Sequence, residues 1–159
     1  MNLLRAFGLL PSIMAVTGCG PVEVCQICLG NDPNQALSKE EVSRVYVYHN
    51  RETLPSLAKN IYYDEHCGID CRAIVRFDVP SWQANEIAAK LSGQPIKPLN
   101  PNDVHNFLRD NNAGRSWWLQ PKTEDLQGAV GDVGSGQLAR VAILSQGATS
   151  RIYLVSWQM

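Results

Sequence analysis

A chain of 159 residues has the size of one domain and is long enough to bury a core. Hydrophobic residues make up 45% of it and charged residues 18%, the balance of an ordinary globular protein. With a formal charge of −1 and no run of Lys or Arg, neither nucleic acid nor an anionic membrane surface finds an electrostatic hold, and nucleic acid is not expected as a partner.

The N-terminus is organised as a targeting segment. Arg5 is the only charge in the first 22 residues, and Ala6 to Val16 is an uncharged, mainly apolar run of 11 residues broken by Pro11 and Ser12. Spanning a bilayer as a helix takes about 20 apolar residues, so this run is too short. A positive end, a short apolar centre and small residues at Thr17 and Gly18 form the pattern of a secretory signal. A buried N-terminal helix is opposed by Gly8, Pro11 and Gly18.

The sequence "VTGC", Val16 to Cys19, resembles the lipobox of bacterial lipoproteins, an aliphatic residue and two small ones before a cysteine, with Val16 where leucine is commoner. The resemblance implies that residues 1–18 are a signal peptide, that the Cys19 thiol receives a diacylglycerol, and that the mature, usually N-acylated chain begins there. One acyl chain holds only marginally, at about 0.8 kcal/mol per buried methylene, while two or three hold stably, so the bilayer becomes a partner through Cys19. Gly20 stands where the family's inner-membrane retention signal has Asp, which implies an outer-membrane location facing the periplasm.

Cys25, Cys28, Cys67 and Cys71 remain, an even set. In a reducing compartment "CQIC" with "HCGIDC" would suggest zinc, with His66 as a further ligand. Outside the cytoplasm two disulfides are expected instead, and no metal. Bridges between the Cys25–Cys28 segment and the Cys67–Cys71 segment are favoured, closing loops that contribute about 4 kcal/mol each in the chain-entropy model. The local pairs Cys25–Cys28 and Cys67–Cys71 are the alternative. A thioredoxin-type role for "CQIC" lacks the preceding strand–helix unit that would lower a thiol pKa.

Residues 19–37 read as a tether with a turn at "NDPNQ", and residues 38–159 as a single domain. Ser38 and Glu41 fit a capping box, whereas Val45 to His49 reads as a strand. Leu54, Leu57, Ala58, Ile61 and Tyr62 recur at helical spacing. Cys71, Ala73, Val75, Phe77 and Val79 alternate with Arg72, Arg76 and Asp78, a strand stopped by Pro80. Ser81 to Gly93 reads as a helix with Ala84, Ile87, Ala88 and Leu91 on one face, capped by Ser81. Asn100–Pro101 opens another, burying Val104, Phe107 and Leu108. "GAVGDVGSG", Gly128 to Gly136, reads as a mobile connector, and Leu138–Leu144 with Ile152–Trp157 as a hairpin with a longer loop, "SQGATSR". Strands and helices do not alternate regularly, so the expected fold is α+β: a small antiparallel sheet of three to five strands with two or three helices packed on one face.

No motif announces an enzyme, and no cofactor is expected. His49, His66 and His105 are scattered, "VGSGQ" lacks the glycine of a nucleophile elbow, and "GAVGDVGSG" lacks the Lys-Ser/Thr of a phosphate loop. Asp64, Glu65 and His66 form the densest ionisable cluster and read as a solvated loop beside a disulfide. In "GRSWWLQP" two adjacent tryptophans on an extended chain face opposite ways, which would leave Trp117 or Trp118 exposed beside Arg115 as a partner-binding patch, unless both fill the core. The expected function is that of a membrane-anchored envelope lipoprotein that binds another envelope or secreted protein, as an inhibitor or immunity protein against a toxin or hydrolase. Small lipoproteins that neutralise toxins or cell-wall hydrolases are similar in size and anchoring, without a shared motif. The alternative is an assembly or structural accessory of an envelope complex.

Overall fold

The computed structural model describes residues 34–50, 52–67, 71–109, 115–119, 126–134 and 136–158. The lipobox, Cys25, Cys28 and the tether as far as residue 33 lie outside them. The elements in chain order are α1 (Lys39–Asn50), β1 (Lys59–Cys67), β2 (Cys71–Pro80), α2 (Ser81–Ser92), β3 (Lys97–Pro98), α3 (Pro101–Arg109), β4 (Gln127–Gly134), β5 (Gln137–Gln146) and β6 (Thr149–Gln158). The strands form one antiparallel sheet in the order β1-β2-β6-β5-β4-β3.

The α+β class and the antiparallel sheet hold, but the sheet has six strands where three to five were expected. The added strands come from segments read otherwise. The Leu54–Tyr62 stretch is no helix: residues 55–58 make a turn closed by the Ala58 N–H on the Pro55 carbonyl at 3.0 Å, and β1 begins at Lys59. Ile61 and Tyr63 face one side of the sheet and Tyr62 the other, so the apolar residues that suggested a helical stripe divide between two cores. The glycine-rich Gly128–Gly136 stretch is no connector either, since most of it is β4. Its glycines are needed for close approach: a Cβ on Gly131 would stand 2.2 Å from the Ser92 carbonyl oxygen, where the last turn of α2 rests on the strand.

Val45 to His49, read as a strand, belongs to α1. The Ser38 N–H donates to Glu41 Oε2 at 2.7 Å and the Glu41 N–H to Ser38 Oγ at 3.2 Å, a reciprocal cap that starts a helix. Val42 and Tyr46, one turn apart, are then buried together, and that packing outweighs local β propensity. The helix Ser81–Ser92 ends as expected at Gly93, with φ of 63°. Ser81 does not cap it. Its hydroxyl donates to the Gly147 carbonyl at 2.7 Å and ties α2 to the β5–β6 turn. That turn is two residues, Gly147–Ala148, rather than the longer loop expected, and Gly147 supplies the positive φ of 72°.

Helices cover both faces of the sheet, not one. On the first face, Val42 and Tyr46 of α1 and Ala84, Ala88 and Leu91 of α2 pack on Val75, Phe77, Val141, Ile152 and Leu154. On the second, Phe107 of α3 joins Trp117, Trp118 and Leu119 over Ile74, Ala142, Tyr153 and Val155. No helix among the described residues is long and apolar enough to cross a membrane.

Candidate functional site

Of the two readings open for this segment, an exposed aromatic beside Arg115 or a filled core, the core reading holds: Arg115, Trp117 and Trp118 are 2%, 4% and 2% exposed. The alternation argument fails because the chain is not extended here: the Trp118 N–H donates to the Arg115 carbonyl at 3.2 Å, closing a turn that lets neighbouring side chains point the same way. The Trp118 indole N–H donates to the Phe107 carbonyl at 2.9 Å, with its ring 5.2 Å from Tyr153. Trp117 stacks on Tyr62 at 5.4 Å. These rings form the second core, and no outward-facing patch is built from them.

Polar groups surround that core. Arg115 Nε lies 2.6 Å from Asp64 Oδ2 and its terminal nitrogen closes on the same oxygen. Arg76 lies over the Tyr62 ring at 4.7 Å and donates to the Trp117 carbonyl at 3.2 Å, while burial pulls its pKa down. Asp78 accepts from Arg151 at 2.8 and 3.2 Å and from Asn60 Nδ2 at 2.9 Å. Burial pushes the Asp78 carboxyl up, but these hydrogen bonds and the charges of Arg151 and Arg76 outweigh it and hold the carboxyl below its ordinary value. Both Arg72 and Arg140 lie over the half-buried Trp157 ring, at 5.5 and 4.8 Å.

The Asp64–Glu65–His66 cluster is not a solvated loop but part of β1. Adjacent strand positions face opposite sides, so Asp64 reaches Arg115 whereas Glu65, buried, accepts from the Tyr63 hydroxyl at 3.0 Å. The His66 side chain lies outside the described residues. No group of three or more His, Cys, Asp or Glu that could hold a metal occurs among the described residues. Cys71 is disulfide-bonded, and the register sets Cys67 directly opposite it.

Among the described residues, one large aromatic stands out of the surface. Trp82, the second residue of α2, is 75% exposed. Ala84 and Ala88 bury the opposite side of the helix, and two residues at 100° each turn Trp82 about 200° away from Ala84. The helical phase of the sequence therefore marks Trp82 as solvent-facing. Glu86 follows it one turn on and is exposed. Beside them a cavity of about 210 Å³ opens between α1, residues 52–55 and α2. Its apolar wall is Tyr46, Pro55, Ile87 and Leu91, and its charged lining is Glu52, Glu86 and Lys90. Lys90 Nζ is 2.8 Å from Glu52 Oε2. Leu57, 44% exposed, sits in the turn that begins at Pro55. An exposed indole and a carboxylate thus stand on α2 beside a hollow with an apolar wall and a charged lining.

No family model, curated protein or solved structure matches this chain.

Proposed function

We propose that the chain is a lipid-anchored, protein-binding module of a bacterial envelope, an inhibitor or immunity protein that meets a secreted toxin or hydrolase at the outer membrane. The anchor is Cys19, supported by the order of charge, apolar run, small residues and cysteine in the first 19 residues. The bonded state of Cys71 agrees with an oxidising compartment. The binding role moves from the buried Arg115, Trp117 and Trp118 to the outer face of α2. The observation that carries it is Trp82, a tryptophan 75% exposed on a helix packed tightly through Ala84, Ala88 and Leu91. Tryptophan is enriched among residues that dominate protein interfaces, and a pre-ordered helix loses little entropy on docking.

Intact mass spectrometry of the membrane-extracted protein tests the anchor: an acylated N-terminal Cys19 is expected, and a retained Met1 with a free thiol overturns it. A photo-crosslinking residue at position 82, in cells, tests the binding role. A soluble toxin or hydrolase as the dominant adduct supports inhibition, integral membrane subunits support the assembly alternative, and no adduct above that of a control at exposed Asn102 of α3, on the other face of the sheet, overturns both.

A further inference from the structure

The outer stripe of α2 carries more than an indole. Trp82, Glu86 and Lys90 follow one another at four-residue intervals, so their side chains lie in one row with Cβ atoms about 5–6 Å apart from turn to turn. Lys90 is engaged by Glu52, and among the described residues Glu86 has no ion-pair partner. The row therefore reads indole, open carboxylate, neutralised ammonium. Behind it is the cavity of about 210 Å³, walled by Tyr46, Pro55, Ile87 and Leu91, which has room for an aliphatic side chain.

Resting on the protein-binding reading above, we infer that this face takes a protein segment with a basic side chain next to an apolar one. The cation lies over the Trp82 ring, whose face is electron-rich, and pairs with Glu86; the apolar group fills the cavity. Charge complementarity chooses the occupant. An acidic segment would bring its carboxylate against Glu86, the charge left over once Glu52 and Lys90 offset each other, and an anionic membrane surface would meet the same repulsion. A helix that lies on lipid carries Lys or Arg beside its apolar residues, and the exposed residues next to Trp82 are Asn85 and Glu86.

The test uses the full lipidated chain in lipid nanodiscs, with the Trp82 indole N–H resonance assigned through Trp82→Phe. The probes are N-acetylated peptide amides of alternating Leu and Arg, Leu and Glu, and Ser and Arg. The Leu–Arg peptide is expected to shift the Trp82 signal saturably, with Glu86→Gln weakening it about fivefold and Glu86→Lys abolishing it. The Ser–Arg peptide is expected to bind more weakly, since nothing fills the cavity. Silence with Leu–Arg, an equal response to Leu–Glu, broadening of Trp82 by doxyl-labelled lipid in the disc, or a Trp82 shift that grows with protein concentration overturns the inference, the last two in favour of a membrane or a second copy. If peptides leave Trp82 unmoved while the crosslink at position 82 captures a soluble protein, the charge assignment falls and the binding role survives; the reverse pair of results retains the chemistry and removes the role.

Discussion

Arg115 and Asp64, 51 residues apart in the chain, meet through two guanidinium nitrogens on one carboxylate oxygen, with the arginine side chain almost wholly enclosed. Such a pair ties the 115–119 turn to β1 and fixes the lid of the second core. Removing the cation leaves Asp64 facing a desolvated hole. Arg115→Ala is therefore expected to destabilise by about 3 kcal/mol, read as a lower urea midpoint at unchanged m-value. Arg115→Met, which fills the volume without the charge, is expected to lose less.

The tryptophans separate core from surface in the same assay. Trp118→Ala is expected to cost about 3–5 kcal/mol, since it empties a volume among Phe107, Trp117 and Tyr153 and strands the Phe107 carbonyl. Trp82→Ala is expected to change stability by no more than about 0.5 kcal/mol, as an exposed side chain away from special features does. A large loss at Trp82 would show that its ring is buried in the native protein.

These contrasts explain which parts of the molecule were legible. The helix after Pro80, the helix after Asn100 and the β5–β6 pair carry strong period signals and form where they were expected, although Ser81 does not cap the first and the hairpin turn is shorter than read. At Val45–His49 the local signals conflict: branched and aromatic residues favour a strand, but the Ser38–Glu41 cap starts a helix and burial of Val42 with Tyr46 continues it. β1 and β4 each open a hairpin with the strand that follows, but their own residues carry contrary local signals, helical spacing over Leu54–Tyr62 for the one and a run of glycines over Gly128–Gly136 for the other. At the paired tryptophans side-chain alternation would expose one ring only on an extended backbone, and the turn there lets both fill the core, the other reading the sequence left open. Trp82 was readable from helical phase alone.

Asp78 gives a pH dependence with a definite sign. Its carboxyl is held below the ordinary value by Arg151, Asn60 and Arg76, against the upward push of burial. A carboxyl whose folded pKa lies below its unfolded one adds stability that is fully present above about pH 4 and is lost as pH falls through the folded value. Stability of the native protein is expected to fall below that point more steeply than that of Asp78→Asn, measured by urea midpoints across the acid range. Equal slopes would mean that Asp78 is not ionically paired.

The cysteines yield a prediction in which loop length decides. Antiparallel neighbours directly opposite each other have Cα atoms about 4.5–5.5 Å apart, within the span a disulfide bridges, and β1 sets Cys67 opposite Cys71 in that manner. Peptide mapping under non-reducing conditions is expected to recover Cys67–Cys71, with Cys25 and Cys28 joined to each other. This reverses the pairing favoured from the sequence, between the Cys25–Cys28 and Cys67–Cys71 segments, because the strand register already brings the two thiols together. Stability supplies an independent reading. In the chain-entropy model a bridge closing about five residues contributes about 2 kcal/mol, whereas one closing about 40 contributes about 4 kcal/mol. Cys71→Ser is expected to show the smaller loss. A loss near the larger figure, with a mapped peptide linking Cys71 to residue 25 or 28, would instead place the tether against the end of β2 and make the anchor and the folded body one cross-linked unit.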